Sequence, residues 1–192
     1  MNFRSTTRRT AIAFSAIAAV AISLSIAATP TRAETQGDVA RGKYLVTLMV
    51  CNDCHTPFKM GQAGPEPDMT RMLSGHPSEL AMPPVPALGE GPWAWAGAGT
   101  NTAFGGPWGV SFAANLTPDA ETGLGKWDAE TFIRALRSGR HQGQGRPILP
   151  PMPYPWYRQA TDEDLRAIFA YLRSVPAVQN RVPEPVDPPE SH

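Results

Sequence analysis

Three stretches of the chain repeat apolar residues at helical spacing. Between Asp38 and Val50, the residues Ala40, Tyr44, Leu45 and Leu48 fall on one face, and Asp38 is placed to cap the start. Asp128 precedes Ala129, Phe132, Ile133 and Leu136 at i, i+3, i+4 and i+7, and Gly139 closes that run. Thr161 and Asp164 resemble a capping box, with aspartate in the usual glutamate place. They open a third stripe of Leu165, Ile168, Phe169 and Leu172, which Pro176 bounds. The pattern predicts an all-α fold in which these helices share one core.

Between the first two helices the periodicity stops. Residues 61–109 hold ten glycines and eight prolines, with Trp93, Trp95, Phe104 and Trp108 interspersed. This segment reads as a long irregular insertion; its aromatics argue against simple disorder, and a connection of this length is usually functional or a covering flap. A proline-rich turn runs from Pro147 to Pro155. The tail, 181–192, carries Pro183, Pro185, Pro188 and Pro189 and is expected to be extended and loosely held.

The N-terminal segment differs from all of these. Arg4, Arg8 and Arg9 precede an apolar run from Ala11 to Ala28, and Thr31-Arg32-Ala33 follows with small residues. A basic head, an apolar stretch and a small-residue cut site are the order of a secretory signal, so residues 1–33 are expected to be removed after Ala33. An uncleaved membrane anchor is the competing reading. The division expected is thus 1–33 as signal peptide, 34–180 as the folded domain and 181–192 as the tail.

Composition adds limits. A chain of 192 residues suits one domain with a single core. Seventeen Lys and Arg balance 17 Asp and Glu, which leaves no electrostatic footprint for nucleic acid. Four of the arginines (Arg4, Arg8, Arg9, Arg32) and no acid lie in 1–33, so the remainder holds 13 basic against 17 acidic residues and is mildly acidic. Two cysteines exclude a scaffold built from several disulfides.

Their spacing carries the chemistry. Cys51-Asn52-Asp53-Cys54-His55 is C-x-x-C-H at the end of the first predicted helix. Two thiols so placed can add across the two vinyl groups of one haem, and the next residue offers an imidazole to the iron. Export, which the signal segment supplies, is the setting such attachment needs. A structural disulfide or a thioredoxin-like thiol pair is the blander reading, but the second wants a βαβ context; zinc would need further soft ligands nearby.

One motif implies one haem c, with His55 on one side of the iron and a second donor opposite. Methionine favours reduced iron. Met60, Met69, Met72 and Met82 lie in or beside the insertion, and Met49 is too close to the motif to reach the far face. Met152, in a loop stiffened by Pro147, Pro150, Pro151 and Pro153 between two amphipathic helices, is the favoured ligand. His76 and His141 are the alternatives, each expected as a solvated loop residue.

With these residues in view, 38–180 resemble a single-haem class I c-type cytochrome, and in particular the cytochrome c subunits and domains that serve periplasmic dehydrogenases. The resemblance rests on four motifs in order. They are Cys51 to His55; Asn115-Leu116-Thr117-Pro118-Asp119 with Thr122-Gly123-Leu124-Gly125-Lys126-Trp127; Pro151-Met152-Pro153-Tyr154; and Thr161-Asp162-Glu163-Asp164-Leu165 through Ala170-Tyr171-Leu172. It implies that the first and last helices cross near Gly42, Tyr44 and Tyr171, and that His55 and Met152 are the axial ligands. It further implies a periplasmic electron carrier rather than an enzyme, taking electrons from a dehydrogenase and giving them to an oxidase or another cytochrome. Membrane association would come only through an uncleaved N-terminal segment or a complex. A haem enzyme or ligand sensor with an openable sixth position, peroxidase-like, is the alternative. Arg134, Arg137, Arg140, Arg146 and Arg158 are expected either to meet haem propionates or an acidic partner, or simply to complement a helix end. Trp93, Trp95 and Trp108 are expected to pack inside the insertion, with a haem cover or a docking patch as the alternative.

Overall fold

The computed structural model describes Met1, residues 36–88 and residues 91–188. The chain divides into two units, Met1–Arg32 and Ala33–His192, and the described residues other than Met1 belong to the second. The expected signal segment, 1–33, lies outside the described residues apart from Met1. Among the described residues no helix is long and apolar enough to cross a membrane.

Among the described residues five α-helices form: α1 Gln36–Leu48, α2 Cys51–His55, α3 Ala129–Ser138, α4 Tyr154–Tyr157 and α5 Asp162–Ser174. The caps read from the sequence organise α3 and α5. The Asp128 carboxylate accepts from the Thr131 N–H at 2.7 Å, Gly139 ends α3 with φ 66°, and Thr161 Oγ1 accepts from the Asp164 N–H at 3.1 Å. In α1, by contrast, Asp38 lies in the first turn rather than at the cap, because the helix begins at Gln36.

The helices meet over one core. Val46, Leu165 and Leu172 are fully buried, and Phe132 of α3 packs on Phe169 of α5 with ring centroids 5.5 Å apart. α1 and α5 cross at Gly42, where an added Cβ would lie 1.8 Å from the Ala167 carbonyl oxygen and 2.8 Å from Tyr171 Cβ. The face of α1 that points inward is therefore Gly42 and Val46, flanked by Leu45 and Met49. Tyr44 and Leu48, expected to be inward, are 55% and 60% exposed. The crossing needs the residue with no side chain, so Tyr44 and Leu48 are turned outward while Leu45 stays against the core.

The all-α expectation does not hold. The described residues of 58–112 carry five strands in two antiparallel sheets, so the insertion is not irregular. β1 Phe58–Gly61 pairs with β2 Gly64–Pro67, Phe58 opposite Pro67 and Gly61 opposite Gly64. β3 Ala96–Gly97, β4 Ala103–Gly106 and β5 Gly109–Phe112 form the second sheet in that order, with Gly105 opposite Val110. The strands are two to four residues long and rich in glycine, so they leave no alternating pattern to read. Glycine serves close approach here: a Cβ on Gly105 would stand 2.4 Å from a Val85 methyl. Ala103 and Phe104 of β4 are buried, as are Leu73 and His76 in the loop between the sheets. Trp95 meets Phe104 edge-on at 5.9 Å, whereas Trp93 is 76% exposed and does not pack inside the insertion as expected.

The segment after α5 is extended, but it is held. The Val186 and Val110 N–H groups each donate to the other's carbonyl, at 2.9 and 2.8 Å. Gly109, with φ 88°, makes room for this contact, since a Cβ there would lie 2.0 Å from the Val186 carbonyl oxygen.

Candidate functional site

Cys51, Cys54 and His55 are presented by a break in the helix. α1 ends at Leu48, and Val50 takes the left-handed conformation at φ 48°, ψ 34°, which few β-branched residues adopt. Asp53 N–H donates to the Val50 carbonyl at 3.0 Å, so the chain re-enters a helical turn at once as α2. This puts both cysteines and His55 on one short turn beside the core. Cys51 packs against the hydrophobic cluster, and so do Met152 and Met72.

His55 is buried and its ring is oriented by a single bond: Nδ1–H donates to the Ala114 carbonyl at 2.7 Å. A carbonyl can only accept, so Nδ1 carries the proton and the lone pair sits on Nε2, which has no hydrogen-bond partner among the described residues. Burial lowers the imidazole's proton affinity, and the ring is neutral. Behind it, the Gly75 N–H donates to the His55 carbonyl at 2.8 Å.

Both cysteines are free and half-buried. Burial pushes the Cys51 thiol up to about 11, offset in part by a backbone hydrogen bond and reinforced by its companion thiol and then Asp53; burial, followed by repulsion from Asp53, also raises that of Cys54. Reactive redox pairs have lowered thiol proton affinities, so this turn is unlike a thioredoxin-type centre. Tyr157 of α4 stands beside the two thiols. Its phenol donates to the Met49 carbonyl, and burial pushes its own proton affinity up to about 12, reinforced by Cys51 and Cys54. Through Tyr157 the loop that carries Met152 is tied to the turn that carries the cysteines. Ser111 of β5 holds the same loop, donating to the Pro150 carbonyl.

The remaining residues singled out from the sequence are placed as follows. His76 is fully buried, not solvated. Its Nε2 meets the Leu80 carbonyl at 3.1 Å and must donate, and its Nδ1 accepts from Thr102 Oγ1 at 2.9 Å, so neither ring nitrogen has a lone pair to spare. His141 is exposed and stacks edge-on with Trp127 at 5.1 Å. Met60 and Met69 are 78% and 60% exposed, and Met60 and Met82 line a separate apolar groove by β1. The arginines are mostly engaged locally: Arg137 with the Arg158 and Ala160 carbonyls and Asp162, Arg140 with the Gly145 carbonyl, and Arg146 with Glu184.

Soft and imidazole donors at one buried turn, with one imidazole nitrogen left bare and thioether sulfur on the same cluster, fit an iron porphyrin held through thioether links. The cytochrome c family model matches residues 39–176, nearly the whole described fold. The chain belongs to the cytochrome c family. Family membership implies covalently attached haem c, and Cys51 and Cys54 have the spacing for it. This cytochrome c is 29% identical over 149 residues to the cytochrome c subunit of a quinone alcohol dehydrogenase from Gluconobacter oxydans, a match covering 76% of this chain and 24% of the relative. It is 28% identical over 134 residues to the fructose dehydrogenase cytochrome subunit of Gluconobacter japonicus, covering 70% of this chain and 20% of that one. It is 39% identical over 66 residues to the gluconate 2-dehydrogenase cytochrome c subunit of Pantoea cypripedii, covering 34% of this chain and 15% of that one. The chain thus spans about a quarter or less of the length of these relatives.

Sequence reasoning passed over three partners of the site. The Ala114 carbonyl is backbone and leaves no side-chain signal. Tyr157 lay only five residues beyond Met152 and could have been weighed with it. Asn180, which braces the loop behind His55, sits in an extended segment where asparagine is unremarkable.

Proposed function

We propose that this cytochrome c is a single-electron carrier of the bacterial periplasm, with one haem c joined through Cys51 and Cys54 and ligated by His55 and Met152. Its electrons come from a dehydrogenase and pass to an acceptor of the respiratory chain, an oxidase or another cytochrome. The observation that carries the reading is His55, buried and oriented by Ala114 so that Nδ1 carries the proton and Nε2 is bare, on the same turn as two free cysteines. The dehydrogenase cytochrome subunits among its relatives support the choice of partner class. The N-terminal order of basic head, apolar run and small residues supports export and removal of 1–33.

When bound, the haem supplies a one-electron couple whose potential the ligands and their surroundings tune. The chain's own contribution is to hold the imidazole in one tautomer and to pin the methionine loop through Ser111 and Tyr157. Met152 is favoured over Met72, which also borders the core, because its loop is anchored from both sides.

Visible spectra of the protein made with periplasmic haem attachment, oxidised and reduced, test this for wild type and Met152→Ala. A six-coordinate c-type spectrum whose sulfur-to-iron band is lost in the variant is the expected result. An unchanged band in Met152→Ala would move the second ligand to Met72, and ready binding of carbon monoxide by the wild type would point to a sensor or peroxidase. A colourless protein would sink the haem reading.

A further inference from the structure

Two buried asparagines build the wall behind His55. Asn180, 2% exposed, follows α5 by six residues, yet both hydrogens of its amide are spent on the loop between the sheets: Nδ2 donates to the Ser74 carbonyl at 2.7 Å and to the His76 carbonyl at 2.8 Å. Its Oδ1 accepts from the Ser78 N–H at 2.9 Å. Those two carbonyls bracket Gly75, the residue whose N–H holds the His55 carbonyl. Gly75 itself leaves no slack, because a Cβ there would stand 2.3 Å from the Ala113 carbonyl oxygen. Asn115, 4% exposed, follows Ala114 directly. Its Oδ1 accepts from the Thr117 N–H and Oγ1 at 2.9 and 2.7 Å, and its Nδ2 donates to the Val178 carbonyl at 2.8 Å. Thr122 Oγ1 joins the two, accepting from the Asn180 N–H at 3.0 Å and from Asn115 Nδ2 at 3.2 Å.

The network therefore grips His55 at two points, its backbone through Gly75 and its ring through Ala114. We infer that Asn180, coupled to Asn115 through Thr122, is a positioning residue that sets the His55–Ala114 hydrogen bond and thereby the donor strength of the imidazole. A ring whose Nδ1–H is held firmly by a carbonyl is the stronger base at Nε2, and such outer partners tune a metal ligand without touching the metal. A firmer bond favours oxidised iron, and a looser one raises the potential. The segment 175–180 thus belongs to the support of the ligand and is more than the exit from the last helix. The inference rests on His55 being an iron ligand.

The experiment uses the haem-loaded protein. Asn180→Ala removes two donors and an acceptor. In the reduced state, exchange of the His55 ring N–H with solvent, followed by NMR with labelled histidine, is expected to quicken about tenfold or more, the factor that corresponds to loss of one or two buried hydrogen bonds. The reduction potential is expected to move to a more positive value. Asp128→Ala, which removes the α3 cap and leaves the network whole, is expected to lower stability while moving neither reading. If Asn180→Ala yields no loaded protein, Thr122→Val carries the same test, since it keeps the side-chain shape and deletes the shared acceptor; both readings should shift in the same direction by less. Exchange and potential equal to wild type in the loaded variant overturn the inference, as do equal shifts in Asp128→Ala. A wild type that takes up no haem fails at a different point, for it removes the ligand reading on which the inference stands.

Discussion

Replacing Gly42 by alanine sets two effects of opposite sign against each other. Within a helix interior, alanine is preferred to glycine by about 1 kcal/mol, so an exposed Gly→Ala change in α1 would stabilise the protein. At this crossing the new Cβ would lie 1.8 Å from the Ala167 carbonyl oxygen, where real Cβ atoms keep at least about 3.0 Å. The obstacle is backbone in the middle of α5, which cannot swing aside as a flexible side chain does. The two helices must part by about 1 Å, loosening the contacts of Val46, Leu165 and Ile168 together. Overpacking of this kind costs about 1–3 kcal/mol, and a backbone obstacle belongs at the upper end. Subtracting the propensity gain leaves a net loss of about 2 kcal/mol, which corresponds to a fall in Tm of roughly 4–8 °C for a chain of this size. Thermal unfolding followed by far-UV circular dichroism measures it directly. A Gly42→Ala protein that melts higher than wild type would mean that propensity wins and that α1 and α5 do not meet where Gly42 places them.

Two further outcomes follow from described contacts. Arg137→Ala should cost about 1–2 kcal/mol in urea unfolding, because the guanidinium joins the carbonyls of Arg158 and Ala160 to Asp162; Arg137→Lys should recover less than half of it, an ammonium being unable to fork across these acceptors. Burial first, offset in part by the Leu80 carbonyl, holds the His76 proton affinity below the ordinary 6.5, so the unfolded chain binds the proton more readily than the folded one. Stability should therefore be full above pH 6.5 and decline as pH falls below it, and His76→Gln, which cannot titrate, should flatten that part of the urea-stability profile; an equal slope in both proteins would contradict the account.

What was legible in the sequence was local. Asp128, Gly139 and Thr161 act within four residues of themselves, and the two helices they delimit run as read. C-x-x-C-H is equally local. The crossing of α1 at Gly42 was legible only through the family resemblance, because the hydrophobic pattern rewards Tyr44 and Leu48 while the crossing selects for an absent side chain. The strands escaped for a related reason: glycines placed for close approach, such as Gly105 against Val85 and Gly109 against Val186, look like loop residues until the neighbour is known. His76 was expected in water because nothing in the sequence announces Thr102 and the Leu80 carbonyl as its partners, 26 and 4 residues away. The support of His55 is carried by backbone groups and by asparagines more than 50 residues from it, and no spacing rule reaches that far.

The contact between Val186 and Val110 bears on how the molecule behaves in a crowded solution. β5 is the outer strand of its sheet, and one of its edges would otherwise offer Val110 as a free donor and acceptor to any passing extended chain. Open edges of this sort are where folded proteins begin to aggregate, and they are commonly blunted by a short covering segment or by proline. Here one short segment does both: Val186 occupies the pairing groups of Val110, and Pro185 and Pro188 on either side lack the N–H groups with which a further strand could be recruited. The segment is a stopper on the sheet, and trimming the chain before Pro185 is expected to show as concentration-dependent association long before it shows as a change in colour.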